Sequence, residues 1–578
     1  MNRRGCRRSK RGALGCVIVA MLLAACDRHP PAATPVLAPT SLQAHSAEFT
    51  PGVIKVSDGI YVAIGYGIAN SIMLEGDDGL VIVDTMESLE AARQVLAEFR
   101  KLSDKPVKAI IYTHSHPDHV GGAAAFVAPN TQVPVYAQAR VASNMDKVAS
   151  ELQAVITQRS LRMYGTQLPQ GERINIGIGG FLDFQQGSTV GSLRPTRTFD
   201  EQLDDTVAGI HFQLVHAPGE TDDQLYVWLP ERRVLLCGDN FYSAFPNLYT
   251  IRGTSYRDPK LWVQSLDKMR VRHAQFLVPS HTRPLIGADA VQSALTDYRD
   301  AIRFVYDQTI RLMNQGLLPD EIAARIQLPP ALAASPYLQP FYGKASWSAK
   351  SIFDGTLGWY SGDTADLQPL APSDQAQRMV ALAGGASAFD DKLEAAAKDR
   401  DWQWALQLSS FALRLNAEDH RAQAVRIAAL KALGSAEANA PARDSYFTAA
   451  HELAGDFKLP KRAVTPTAEM LAAIPLSVFF DGMAVSLRAE DCLDRVIAVG
   501  FTFSDSDERY TYLVRHGASE LVSGVADNVD LSVRVPTQAF KEMLAGSRNP
   551  ALTLATDFQM LKGSKLDFAK FMSLFQPA

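Results

Sequence analysis

The chain has 578 residues, 47% hydrophobic and 21% charged, with 57 Lys and Arg against 62 Asp and Glu for a formal charge of −5. At about 100–200 residues per domain this length predicts roughly three or four domains, and the balanced composition excludes disorder over most of the chain. There is no internal run of about 18 apolar residues and no basic block beyond the N-terminus, and 5 cysteines are too few for a disulfide framework; a polytopic membrane protein and a disulfide scaffold are therefore excluded, and the charge balance argues against a nucleic-acid binder.

The N-terminus reads as an address. Six cations (Arg3, Arg4, Arg7, Arg8, Lys10 and Arg11) precede an apolar run from Ala13 to Ala25 that ends at Cys26. A charged segment, a short apolar core and a small-residue boundary describe a secretory signal peptide, too short for a membrane-spanning helix of about 20 residues. Leu23-Ala24-Ala25-Cys26 resembles a bacterial lipobox, which implies a lipidated Cys26 as the first residue of the mature chain; ordinary cleavage beside an incidental Cys26 is the alternative. The Pro/Ala-rich stretch 27–50 then reads as an unpacked tether. Without residues 1–25 the balance is 51 cationic against 62 acidic side chains, or −11, which fits an acidic body exported to a bacterial envelope, periplasmic or membrane-anchored. Cys237 lies in an apolar run and reads as a buried thiol, and Cys492 has no evident partner.

Further along, apolar strands end in chemistry. Leu80–Val83 runs into Asp84-Thr85. Val107–Tyr112 runs into Thr113-His114-Ser115-His116-Pro117-Asp118-His119, followed by Gly121-Gly122. Open α/β sheets place their sites at the C-terminal ends of strands, and imidazoles two residues apart can converge on one cation. Asp118 and His119, half a turn on, can face a second cation. Phe212–Val215 leads through His216-Ala217-Pro218-Gly219 to Glu220, Val234–Cys237 to Gly238-Asp239, and Phe276–Pro279 through Ser280 to His281. All of these exits are expected along one sheet edge, as a metal site.

These motifs resemble the metallo-β-lactamase superfamily, whose members share a THxHxDH motif, a ligand after a Pro-Gly turn, a Gly-Asp carboxylate and a final His. The resemblance implies an α/β fold, an αββα sandwich, in which His114, His116 and Glu220 hold one metal. It also implies that Asp118, His119 and His281 hold the other, with Asp239 between them. A carboxylate at position 220 is the habit of the alkylsulfatase branch, in which hydrolysis uses zinc; two Zn2+ are expected, with iron or manganese left open. Asn247-Leu248-Tyr249-Thr250-Ile251-Arg252-Gly253, Arg162-Met163-Tyr164-Gly165 and Pro195-Thr196 also resemble that branch. Arg252 would then clamp a sulfate with its planar fork, an ion-pair role being the alternative. Asn247 reads as a substrate contact or a loop cap, and Tyr249 as a catalytic or a core ring. Three departures bear on the substrate. Asp239 stands where alkylsulfatases usually have Glu, Asp222-Asp223 replace apolar residues, and Ser280–Pro284 lacks the second His and the Trp often found around the final ligand.

A helix is expected from about 291 to 316, and Leu357-Gly358-Trp359-Tyr360 with Gly384-Gly385 punctuates the chain beyond it. Short amphipathic helices are expected at 389–398, 402–413, 422–433 and 445–453. This region resembles the alkylsulfatase dimerisation domain and implies a homodimer, a domain that merely packs on its own chain being the alternative. A helix over 468–483, strands over 496–503, 510–514 and 529–535, and a closing helix over 568–575 resemble the sterol-carrier-like C-terminal domain of the same enzymes. The expected organisation is a signal peptide with lipobox (1–26), a tether (27–50), a catalytic domain (51–325), a helical dimerisation domain (326–458) and a smaller α+β domain (459–578).

The function these features imply is hydrolysis of an aliphatic sulfate ester by metal-activated hydroxide, with Asp118, Arg252, Asn247 and Tyr249 as the candidate catalytic set. Membrane contact is expected only through Cys26, and no nucleic-acid partner is expected. Two alternatives stand beside it: the same scaffold acting on a lactone, β-lactam, thioester or phosphoester, and a lipid-binding envelope lipoprotein with a structural metal.

Overall fold

Strands that are apolar at every position need cover on both faces, and the chain supplies it with two stacked sheets and two outer layers of helix. The structure, a computed structural model, describes residues 39–184 and 187–575. In its first sheet β1 (Gly52–Ser57), β2 (Ile60–Ile64), β3 (Ser71–Glu75), β4 (Leu80–Val83), β5 (Val107–Ile111) and β6 (Val135–Gln138) lie side by side in chain order. β7 (Ser188–Val190) pairs elsewhere, and β8 (Arg197–Phe199) closes the edge beyond β6. Strands β1 to β4 are antiparallel neighbours, whereas β4, β5, β6 and β8 run parallel.

The second sheet holds β9 (Gln202–Val207), β10 (Ile210–His216), β11 (Leu225–Leu229), β12 (Val234–Gly238), β13 (Phe276–Pro279) and β14 (Leu285–Ile286), again in chain order. Alternation along single strands shows how the layers meet. Val81 and Val83 of β4 share the inter-sheet core with Val234 and Leu236 of β12. Leu80 and Ile82 belong to the other face, with Ala91, Val95 and Phe99 of the helix Leu89–Arg100. Leu235 and Cys237 pack in the core that holds Trp262 of the helix Pro259–Arg270 and Leu295 of the helix Ala288–Met313. Ser88 caps the helix over the first sheet by accepting from Ala91 N at 3.0 Å, a contribution of about 1 kcal/mol. This is the αββα sandwich that the motifs imply.

The expected helical run is present as Ala386–Lys398, Trp402–Leu415, His420–Ala436 and Ala440–Ala454. The last of these touches the sandwich, where Glu452 takes both Arg162 Nε (2.8 Å) and Nη2 (2.9 Å). Beyond it β15 (Val464–Pro466) pairs in parallel with β7 and ties the C-terminal region to the segment that joins β6 to β8. A last sheet of β16 (Val496–Phe503), β17 (Arg509–Arg515), β18 (Ala518–Ser523), β19 (Leu531–Val535) and β20 (Gln559–Lys562) is ordered β18-β17-β16-β19-β20.

Several expectations are corrected. The helix expected over 468–483 is two, Ala468–Ala473 and Leu476–Ser486, because Pro475 cannot continue a helix and instead stands at the start of the second. The closing helix is Lys565–Met572. The stretch 27–50 is not an unpacked tether throughout. Pro39–His45 is helical, Leu42 is fully buried in the core, and the His45 ring stacks on Phe341 at 4.3 Å while Nε2 donates to Gly177 O at 2.8 Å. An apolar residue and a ring with a hydrogen bond hold this stretch against the body, which composition alone does not reveal. The signal segment, the lipobox and Cys26 lie outside the described residues. Cys237 and Cys492 are both buried free thiols. No helix among the described residues is long and apolar enough to cross a membrane.

Candidate metal centre and anion site

Every expected ligand sits just past a strand end. After β5 the chain turns through Thr113 and His114 into the short helix Pro117–Val120, which carries Asp118 and His119. Glu220 follows β10, Asp239 follows β12, and His281 follows β13. Gly238 makes the second of these exits possible: its φ is +56°, and a Cβ there would come within 3.0 Å of the Thr113 Cβ.

The side chains converge. Asp239 Oδ2 lies 3.6 Å from His114 Nε2, 3.5 Å from His119 Nε2 and 3.2 Å from His281 Nε2. Asp118 Oδ2 lies 3.4 Å from His119 Nε2 and 3.5 Å from His281 Nε2. His114 Nε2 and His116 Nδ1 are 2.9 Å apart. Three groups have donor atoms close enough to share an ion: His114–His119–Asp239, Asp118–His119–His281 and His116–Glu220–Asp239. His119 Nε2, His281 Nε2 and Asp239 Oδ1 are buried without any hydrogen-bond partner. Orphaned buried polar atoms are costly, and divalent cations would satisfy all three at once. The residues therefore fit a metal, and their imidazole and carboxylate atoms suit zinc.

Behind the ligands, further residues aim them. Asp84 Oδ2 accepts from His119 Nδ1 (2.8 Å), Thr113 Oγ1 (2.8 Å) and Ser280 Oγ (2.6 Å), and Oδ1 accepts from Thr113 N (2.8 Å). With its proton on Nδ1, His119 presents the Nε2 lone pair to the centre. His281 Nδ1 donates to Ile68 O at 2.8 Å, and Ile68 N in turn donates to Glu87 Oε1 at 3.1 Å. Burial pushes Glu87 up to about 8, so this support is a neutral acid at neutral pH. The backbone is strained at two of the exits, Asp84 (φ +58°) and Thr282 (φ +62°). A β-branched residue in the left-handed region costs about 1–3 kcal/mol.

The carboxylates of the centre act on its imidazoles unequally. Burial lowers His119, but the carboxylates of Asp239, Asp118 and Asp84 raise it well above its usual range. His281 is raised in the same way, against burial, by Asp239 and Asp118. Burial and the charge on His119 push His114 down to about 4. Burial works against Asp118 too, yet His119 and His281 hold it at about 2. A histidine must be neutral to ligate, and the raised values mean that His119 and His281 must give up protons as a cation enters. Zinc affinity is therefore expected to rise with pH and to be higher at about pH 8 than at about pH 6, with protons released on binding. Chelator competition at the two pH values checks this; equal affinity would contradict it.

Of the residues expected to meet an anion, Arg252 has a side chain beside a metal-ligand candidate. Arg252 is half-buried, with Nη2 3.1 Å from His116 Nε2 and Nη1 donating to Gly253 O at 3.2 Å. Asn247 is 1% exposed, and both polar atoms of its side-chain amide are buried and unpartnered. That excludes a side-chain loop cap. Tyr249, three residues before Arg252, is half-buried rather than a core ring. Asp222 and Asp223 are engaged elsewhere: Asn144 Nδ2 donates to Asp222 Oδ1 (2.8 Å) and Asp223 Oδ2 (3.0 Å), fastening the Glu220 turn to the helix Val141–Lys147.

Sequence reasoning misses the supports. Arg257 is 3% exposed and forms an ion pair with Glu220, its Nη1 lying 2.6 Å from Oε1. Nothing in Thr254-Ser255-Tyr256-Arg257-Asp258 marks this arginine off from a surface one. Glu87 and Ser280 carry no local signal either, since their partners lie far off in the chain. Asp84 is visible as a strand exit, but not as the residue that orients His119.

A sandwich with this constellation at its edge defines a metallo-β-lactamase-fold hydrolase, and residues 64–281 match the family model of the metallo-beta-lactamase superfamily. Residues 318–456 match the alkyl sulfatase dimerisation family and residues 464–578 the alkyl sulfatase C-terminal family. A linear primary-alkylsulfatase of Pseudomonas sp. (strain ATCC 19151) is 37% identical over 522 residues, covering 87% of this chain and 98% of the relative. The alkyl/aryl-sulfatase BDS1 of Saccharomyces cerevisiae (strain ATCC 204508 / S288c) is 28% identical over 91% of this chain and 82% of its own length. Among solved structures, the stereoselective inverting sec-alkylsulfatase Pisa1 from Pseudomonas sp. superposes with a TM-score of 0.83 at 26% identity, over 91% of this chain and 85% of that one. The chain belongs to the alkylsulfatase family.

Proposed function

We propose that the chain is a dinuclear metal hydrolase of alkyl sulfate esters, adding water to R–O–SO3− to give an alcohol and hydrogen sulfate. The observation that carries this reading is the pairing, at one edge of the sandwich where strands of both sheets end, of a buried ligand cluster with the Arg252 guanidinium. When bound, two divalent cations lower the pKa of water so that hydroxide is available near neutral pH. His114, His116 and Glu220 would hold one and Asp118, His119 and His281 the other, with Asp239 shared.

The chain's own residues do the rest. Asp84 and the Ile68 carbonyl keep the protons of His119 and His281 on Nδ1, so that Nε2 faces the centre. Arg252 supplies a permanent charge and a planar fork to sulfate oxygens, and the Asn247 amide is offered as a neutral donor to the same anion. Sulfate leaves well as an anion, so protonating the departing group is not required of any residue. Asp222 and Asp223 are accounted for by the helix they anchor, which removes their argument for another substrate.

The 37% identity to a linear primary-alkylsulfatase makes a linear primary ester the first substrate to try. A homodimer belongs to the same proposal, supported by exposed Leu357, Trp359, Leu367, Leu370 and Leu382 within the dimerisation match. Export with a lipidated Cys26 belongs to it as well, supported by the N-terminal cations and the apolar run after them.

The test is sulfate release from primary and secondary alkyl sulfates by metal-quantified protein, with a chelator-stripped control and a lactone, β-lactam and phosphodiester panel. Metal-dependent sulfate release is expected, with the panel at background. Protein that carries two cations yet turns over no sulfate ester would sink the proposal.

A further inference from the structure

Of the carboxylates in the centre, Glu220 has a counter-ion of its own. Arg257 stands just before the helix Pro259–Arg270, where the Asp258 side chain caps the helix by accepting from Lys260 N at 2.8 Å, so the backbone around Arg257 is tied down. Its guanidinium forms an ion pair with Glu220, Nη1 lying 2.6 Å from Oε1, and donates from Nη1 to Asn247 O at 2.6 Å and from Nε to Thr254 Oγ1 at 3.3 Å. On the other side the Tyr242 hydroxyl donates to Glu220 Oε2 at 3.3 Å and accepts from Asn247 N at 2.8 Å.

Both oxygens of Glu220 thus hang, through Arg257 and Tyr242, on the backbone of one residue, Asn247. The turn beneath is equally constrained, since a Cβ at Gly219 would fall 1.8 Å from Asn240 Oδ1. Asp118 differs: the neighbours of its carboxylate are the imidazoles of His119 and His281. The two halves of the centre are therefore built differently. One carboxylate is held in place by an arginine and a tyrosine, and the other by the ligand cluster itself.

We propose that Arg257 is a positioning residue that fixes the Glu220 carboxylate and so sets the affinity of the His116–Glu220–Asp239 group without setting that of Asp118–His119–His281. Arg257 acts through Glu220 and needs no contact with substrate. Removing it frees the Glu220 side chain to rotate and leaves one cation with a poorly oriented ligand; losing such outer partners costs about 10- to 100-fold in metal affinity. Lysine cannot replace it fully, because a point charge cannot serve Glu220, Asn247 and Thr254 from one planar fork.

The inference rests on the two-cation reading, and one titration separates the two. Zinc binding to the full chain is followed by chelator competition, and Co2+ binding by electronic absorption, for wild type, Arg257→Gln, Arg257→Lys, Glu220→Gln and the double variant of Arg257→Gln with Glu220→Gln. Wild type is expected to bind two cations; if it binds fewer, the two-cation reading itself fails. Arg257→Gln is expected to weaken one binding step by at least about 10-fold and leave the other unchanged, and Arg257→Lys to weaken the same step less. The double variant should bind no worse than Glu220→Gln, because both substitutions act on one ligand. Should Arg257→Gln fail to fold, the selective loss must still appear in Arg257→Lys, which keeps a charge in the pocket. Two wild-type steps in a folded Arg257→Gln or Arg257→Lys protein, or equal weakening of both steps, would overturn the assignment.

Discussion

Asp239→Asn is expected to release both cations and to lower kcat/KM for an alkyl sulfate by about 10³-fold or more, a loss of at least ~4 kcal/mol of transition-state stabilisation. The geometry concentrates the effect there, because Asp239 Oδ2 stands 3.2 Å from His281 Nε2, 3.5 Å from His119 Nε2 and 3.6 Å from His114 Nε2. Asparagine has the same shape but no charge, and its amide hydrogens would compete for imidazole nitrogens that must face a cation. Burial opposes ionisation of Asp239, yet His281, His119 and His114 hold it well below its usual range, so it is a carboxylate at neutral pH. The substitution therefore removes a full charge from a residue only 2% exposed to solvent, where water cannot make up the loss. Metal content and sulfate release are measured on the same preparation. Two cations retained with full turnover would remove Asp239 from the centre.

Which parts of this arrangement can be read in advance depends on how local their signals are. Each ligand follows an apolar strand directly, so Val107–Tyr112 before His114 and Val234–Cys237 before Asp239 announce strand ends at the site, but not that these strands belong to two sheets where one sheet edge is expected. The unbroken apolar run Leu80–Val83 likewise announces a strand covered on both faces, with Val81 in one core and Ile82 in another. Pairings between distant loops are not local. Arg257 reaches Glu220 and Ser280 reaches Asp84 across intervening strands, and neither contact leaves a pattern in either segment. In the C-terminal region β18 is illegible for a different reason: Ala518, Glu520, Val522 and Ser523 are all exposed, so this edge strand has no apolar alternation to follow.

Arg252→Ala is expected to lower kcat/KM for alkyl sulfates by about 10²–10³-fold while both cations stay bound, the cost typical of removing one donor from developing negative charge. Two observations separate its role from that of the ligands. Its guanidinium meets the centre at the outer nitrogen of His116, Nε2, whereas His116 Nδ1 is the atom that faces His114. Burial works against its charge, but Tyr164, Tyr342 and Glu220 around it push the guanidinium further up, so it is a permanent cation. Arg252→Lys should recover only part of the loss, since a single ammonium cannot match two sulfate oxygens at once. His116→Ala gives the contrast: it deletes a ligand, so cation content and turnover should fall together. If Arg252→Ala lost metal in the same proportion as His116→Ala, the guanidinium would be a support of the metal centre, and the sulfate would have to be held by Asn247 and the cations without it.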